Sequence, residues 1–217
     1  IIISSFELLM FALLAVCIVI APVFSGEYQA GTDAVILSAK YGKTKLTTAK
    51  IIASYLFGGL AFTLHVVVAF GLPLAAFGFD GWDLPLQIAN TTIPYPFTFL
   101  QAALVNLGVV YLVLFAMTGL TLLLSAKMKS PYLVLIVLVP VLFIPLFLSP
   151  NGTTGAYNLT LFLLPYRSTI PEVGKYISYQ FGGLVLDAFT VRAILYALLT
   201  AIMLPLARLG FKKHQVS

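Results

Sequence analysis

The sequence predicts an all-α integral membrane protein, a bundle of transmembrane helices forming a single domain over residues 1–217. Three observations predict it. Hydrophobic residues make up 61% of the chain and charged residues only 9%, where a soluble domain carries roughly a quarter charged. The apolar runs are about 20 residues long, enough to cross about 30 Å of hydrocarbon. None alternates with period two, so they read as helices rather than barrel strands, and a helix satisfies its own backbone in lipid.

The spans follow in order at about 6–24, 51–78, 98–126, 131–149 and 187–207. The fourth opens at Ser130-Pro131, an N-cap followed by proline at the first helical position. It also holds Pro140 and Pro145, which predict a kink or unwinding in its outer half. Between the spans lie a polar stretch at 27–50, a loop at 80–96, a short Lys127–Ser130 turn and a connector at 150–186. In the connector Val173, Tyr176, Ile177, Phe181 and Leu184 recur at helical spacing. They predict an amphipathic helix lying at the surface or re-entering the membrane.

Lys and Arg set the orientation. Lys40, Lys43, Lys45 and Lys50, then Lys127 and Lys129, then Arg208, Lys212 and Lys213 fall on one side, nine of the twelve basic residues. Arg167, Lys175 and Arg192 fall on the other. This asymmetry places 27–50 and the C-terminus in the cytoplasm. Trp82, Tyr95, Tyr157, Tyr166 and Tyr176 are then expected at the outer interface, and Tyr28, Tyr41 and Tyr132 at the inner one.

Several chemistries find no support. Gly42-Lys43-Thr44 ends like a phosphate-binding loop, but that motif needs glycine at 37, where Leu stands, and a preceding strand. There is no H-E-x-x-H or G-x-S-x-G, and the two histidines are His65 and His214. Cys17 is alone, which excludes a disulfide within one chain. The charge of +5 reflects the cytoplasmic face rather than nucleic acid. Asn151-Gly152-Thr153 and Asn158-Leu159-Thr160 match the glycosylation pattern, which has no meaning in the bacterial plasma membrane expected here. His65 and Asn106 are the polar residues inside spans. Each is expected to make an interhelical hydrogen bond, with a place on a substrate path as the sharper alternative. Asp187 and Arg192, near the outer end of the last span, are read as capping and snorkelling.

The polar stretch 27–50 has internal order. It carries Glu27, Asp33, Lys40, Lys43, Lys45 and Lys50; at about 3 kcal/mol each, burying six charges at mid-bilayer would cost roughly 15–20 kcal/mol. It therefore stays out of the membrane. Gly31 and Thr32 end the first span's continuation. Thr32 is the expected N-cap of a short helix with Asp33 in its first turn, and Gly42 is the expected stop. That helix should expose Val35, Ile36 and Leu37, and Glu27 is expected to pair with Lys50.

A span, then Glu27, Gly31-Thr32, a short apolar helix over Val35, Ile36 and Leu37, Ser38, a basic turn from Lys40 to Lys45, and Lys50 opening the next span resembles the permease subunits of type-two ABC exporters. The order of the later spans matches as well. The resemblance implies a coupling helix at 27–50 that docks on a separate ATP-hydrolysing subunit. Its residues would be Glu27, Gly31, Thr32, Val35, Ile36, Leu37, Ser38, Lys45 and Lys50. It further implies a permease dimer with the substrate path between its halves, ATP and magnesium on the partner and no cofactor in this chain. The family has six spans, so a further span ahead of Ile1 is expected. The expected function is export coupled to a partner's ATP hydrolysis, with no catalytic site here. The alternative is a membrane anchor or sensor subunit that does not transport. A secondary transporter would be expected to carry ion-coupling charges inside its spans, and these spans lack them.

Overall fold

Pro22 divides the first apolar run into two helices, α1 (Ile2–Ile20) and α2 (Pro22–Ala30). The computed structural model describes residues 2–39, 41–78 and 80–212, without the side chains of residues 2–5, 7, 34, 37, 43 and 212. Lys40, Lys213, His214 and the side chains of Leu37, Lys43 and Lys212 thus lie outside the described residues. A six-residue helix α3 (Asp33–Ser38) follows, and a π-helical turn (Gly42–Leu46) leads into α4 (Thr47–Phe77). Beyond a loop come α5 (Phe99–Lys127), α6 (Pro131–Phe147), two short helices α7 (Ala156–Leu163) and α8 (Pro165–Thr169), a hairpin of β1 (Ser178–Phe181) and β2 (Leu184–Asp187), and α9 (Ala188–Lys212).

Among the described residues four helical stretches are long and apolar enough to cross a membrane: Leu8–Ala30, Thr44–Phe77, Phe99–Lys127 and Ala188–Phe211. The first runs past the expected end at 24, because α2 continues the apolar run beyond Pro22. The expected span at 131–149 is α6, with 17 residues, roughly 26 Å at 1.5 Å per residue. It stays helical through Pro140 and Pro145 and stops at Phe147, so the expected unwinding appears only as this early stop.

α5 lies at the centre. It opens on a capping box, in which the Thr98 hydroxyl accepts from Gln101 N while the Gln101 side chain accepts from Thr98 N. Its buried Val110, Val113, Leu114 and Leu122 meet Leu9, Leu13 and Ile20 of α1, Leu138 of α6 and Phe211 of α9 in one core. α9 is its most extensive neighbour. At Gly119 a Cβ would lie 2.9 Å from the Met203 Cβ, so only glycine lets these two helices approach so closely. α4 packs on one side only, with 11% of its most apolar stretch buried.

The connector departs from expectation. Val173–Leu184 does not form an amphipathic helix; its second half is the antiparallel hairpin, with Phe181 paired to Leu184 and Ser178 to Asp187. The turn is Gly182-Gly183, with Gly182 at φ +62°, the first central position of a type II′ turn. Ile177 and Tyr179 are buried while Ser178 and Gln180 are not, which is period two. The helical spacing of the apolar residues was coincidental, and the glycine pair outweighed it.

Candidate functional site

The segment 27–50 is a strap held at both ends. α2 finishes in a Schellman motif: Gly31 N donates to Tyr28 O at 3.2 Å, and Thr32 N to Glu27 O at 3.0 Å. Gly31 takes φ +67°, a left-handed conformation that suits glycine. Thr32 does not cap α3 with its side chain, contrary to expectation. Its backbone is already in the right-handed helical region, and its hydroxyl donates back to Glu27 O at 3.4 Å. The Schellman turn draws that hydroxyl toward α2 rather than forward. Asp33, 9% exposed, stands in the first turn of α3, where the helix dipole favours a carboxylate.

α3 presents Val35, 73% exposed, while Ile36 turns inward and packs against the main core. The expected outward Val35-Ile36-Leu37 face is therefore corrected at Ile36. Ser38 is exposed, and its hydroxyl donates to Val35 O at 2.9 Å. Gly42 does not stop α3, which ends at Ser38. It opens the next turn, donating from its N–H to Ala39 O at 3.0 Å. A Cβ at 42 would lie 1.7 Å from the Ile36 carbonyl oxygen, so α3 and the start of α4 meet over a position without a side chain. The buried Thr47 hydroxyl closes the turn by donating to Gly42 O at 3.0 Å. Lys45 is exposed and stacks over the Tyr41 ring at 4.7 Å.

The expected ion pair between Glu27 and Lys50 is present. Lys50 Nζ also donates to Val23 O at 3.0 Å, so α4 is fastened to α2 at two points. The other Glu27 oxygen, Oε2, is buried without a hydrogen-bond partner.

Ser125, which sequence reasoning passed over, anchors the other side of α2. Its buried hydroxyl accepts from Phe24 N and Ser25 N, each at 3.0 Å, and donates to Ala21 O at 2.6 Å. Pro22 leaves the first N–H groups of α2 without helical partners, and Ser125 supplies the acceptor. Tyr28 adds a bond from its hydroxyl to Ala126 O at 3.0 Å. A serine on another helix has no signature near Pro22 in the sequence; only the proline could have prompted a search for a partner.

His65 and Asn106 meet different elements. Asn106 is fully buried and donates from Nδ2 to Thr169 O at 3.1 Å, leaving Oδ1 unpartnered. His65 faces Ala12, Val16 and Val19 of α1. Its Nε2 is shielded and lacks a hydrogen-bond partner among the described residues, so the interhelical bond expected of it is absent.

A second charged cluster ties the connector to α9. Asp187 caps α9 as expected, accepting from Phe189 N at 3.0 Å. Arg192 does not snorkel; it is completely buried. Its Nε donates to Phe162 O at 2.9 Å and its Nη2 to Glu172 Oε2 at 3.2 Å. Arg167 stands 3.6 Å from the other Glu172 oxygen and donates to Leu148 O at 3.2 Å. The two arginines thus hold carbonyls at the ends of α6 and α7, where the helix dipole favours cations. Burial pushes the Glu172 carboxyl above its ordinary range, against the pull of Arg192 and Arg167. Glu172 carries no motif, and its partners lie on other elements, so nothing in the sequence pointed to it.

Comparison with protein-family models, with curated proteins and with solved structures finds no match to this chain.

Proposed function

We propose that this chain is the membrane-spanning permease subunit of an ATP-binding cassette exporter in the plasma membrane, and that residues 27–50 are its docking element for a separate ATPase. The observation that carries the reading is the strap itself. A short helix with an exposed Val35 is bounded by the Gly31 turn and the Gly42 contact, and fastened across its base by Glu27 and Lys50. A solvated loop needs none of these constraints. A helix that must carry a push from a partner into α2 and α4 needs all of them. Val35 would enter a groove on the ATPase, as a helix docks its apolar face in a partner. Two permease copies would enclose the substrate path, with ATP and magnesium on the partner.

The test is purification of the full chain with its ATPase partner. An ATP-hydrolysing cassette subunit should co-purify in fixed stoichiometry, and its rate should respond to exported substrate. Val35→Asp should insert normally and lose that subunit, because an unpaired charge would be buried at the contact. Retention of the ATPase by Val35→Asp would overturn the docking assignment. An ATPase that binds but never responds to any transported molecule would favour the anchor or sensor reading.

A further inference from the structure

The side of α4 that packs least carries a groove against α1. Near the start of α4 is a cavity of about 280 Å³ lined by Val19, Val23, Lys50, Ala53, Ser54 and Phe57. Further along is one of about 150 Å³ lined by Ala12, Val16, Ala61 and His65, together with the same Val19 and Phe57. The shared residues make the two cavities one continuous groove. From Lys50 to His65 it follows fifteen residues of α4, roughly 22 Å at 1.5 Å per residue, most of the depth of a hydrocarbon core. Val19 and Phe57 are 53% and 43% exposed, so the groove opens sideways, toward where lipid would lie.

Its two ends differ chemically. Lys50 donates two N–H groups, to Val23 O and to Glu27, which leaves the third for a ligand. The walls between are apolar and built from small residues beside Phe57. We infer that the α1–α4 groove binds a long-chain amphiphile with a phosphate-class anionic headgroup, the head at Lys50 and the chain running toward His65. Charge selects the occupant: Lys50 stands where the basic 27–50 segment meets the apolar wall, and an ammonium favours an anionic head over a zwitterionic one. The inference stands apart from the docking reading, because it needs only α1, α4 and Lys50.

The probe is phosphatidate with a photoactivatable diazirine at the end of one chain, in phosphatidylcholine vesicles holding the purified full chain. Adducts should map to Phe57–His65 and exceed those of a matched phosphatidylcholine probe by roughly fivefold, the preference one cation gives near a membrane surface. Lys50→Gln should bring that ratio to about one. Ala53→Phe and Ala61→Phe fill the groove from its open side and should each remove the adducts; because they leave the Glu27 pair intact, they test the site even if Lys50→Gln misfolds. Equal labelling by both headgroups, or labelling that survives both groove-filling variants, would overturn the inference. So would displacement of the probe by inorganic phosphate alone, or a change in oligomeric mass on filling the groove with labelling unaffected, which would give the groove to a second copy. With ATPase and ATP added, transfer of the probe to the opposite leaflet would mark exported cargo, and retention a resident lipid; both support the site.

Discussion

Arg192 of α9, with no exposed surface, meets Glu172 of the connector at 3.2 Å. The carboxyl is held above its ordinary range by burial, so it binds its proton more tightly in the folded chain than in the unfolded one. Its contribution to stability is complete below the unfolded carboxyl range and is lost as pH rises through the folded value. Arg192→Met removes the stronger counter-charge and raises that folded value further. The variant should cost little in acid, where Glu172 is neutral, and about 3–5 kcal/mol once the carboxylate is unpaired. Glu172→Gln, which mimics the neutral form, should cost less at neutral pH. Thermal unfolding of both variants from acid to neutral pH checks this; a penalty for Arg192→Met that is flat with pH would refute it.

Removal of the Ser125 hydroxyl should loosen the junction of α1 and α2. Ser125→Ala leaves Phe24 N and Ser25 N without their acceptor in a buried site, at about 1–3 kcal/mol. Amide exchange at residues 23–26 should accelerate more than exchange at the centre of α5. Unchanged exchange at 24 and 25 would show that the hydroxyl is dispensable.

Gly42 tolerates no side chain while α3 stays in place. Gly42→Ala would put a Cβ 1.7 Å from the Ile36 carbonyl oxygen, which forces the two turns apart. Exchange protection in α3 should be lost, with α5 and α9 unaffected, and ATPase docking should weaken as it does in Val35→Asp. Gly31→Ala, strained by its φ of +67°, should be milder, since a Cβ there meets nothing within 4 Å. Equal effects of the two would argue against the contact at Gly42.

Single cysteines should report sidedness once Cys17 is replaced. Lys45 and Lys129, both exposed, should be protected from impermeant thiol reagents in intact cells. Asp83 and Lys175, also exposed, should react. Labelling of Lys45 from outside would reverse the orientation derived from the basic residues.

Features whose partners are close in sequence were legible beforehand. Ser130 accepts from Tyr132 N at 3.3 Å ahead of Pro131, a local motif read directly. Glu27 and Lys50 were also within reach, since each sits where a helix joins the polar strap. Ser125 and Glu172 were not. The first bonds to residues about a hundred positions away, and the second joins Arg192 across twenty; contacts of that kind exist only after the helices pack. The hairpin at 178–187 was misread for a different reason. Its apolar residues fit both a helix and alternating strands, and Gly182-Gly183 was the local cue that separated them. Pro22 was equally visible, yet the apolar run on both sides hid the break it makes.

The break at Pro22 makes Ser125 a fulcrum. α2 is bolted by Ser125 and Tyr28 to the far end of α5 and by Glu27 to α4, while its continuity with α1 is interrupted at the proline. A tilt imposed on α3 would therefore swing α2 as a short lever about the end of α5. The load would pass to the central helix and its neighbour α9, and α1 would be spared most of it. The wall that α1 gives to the lateral groove could then hold its shape while the centre of the bundle moves.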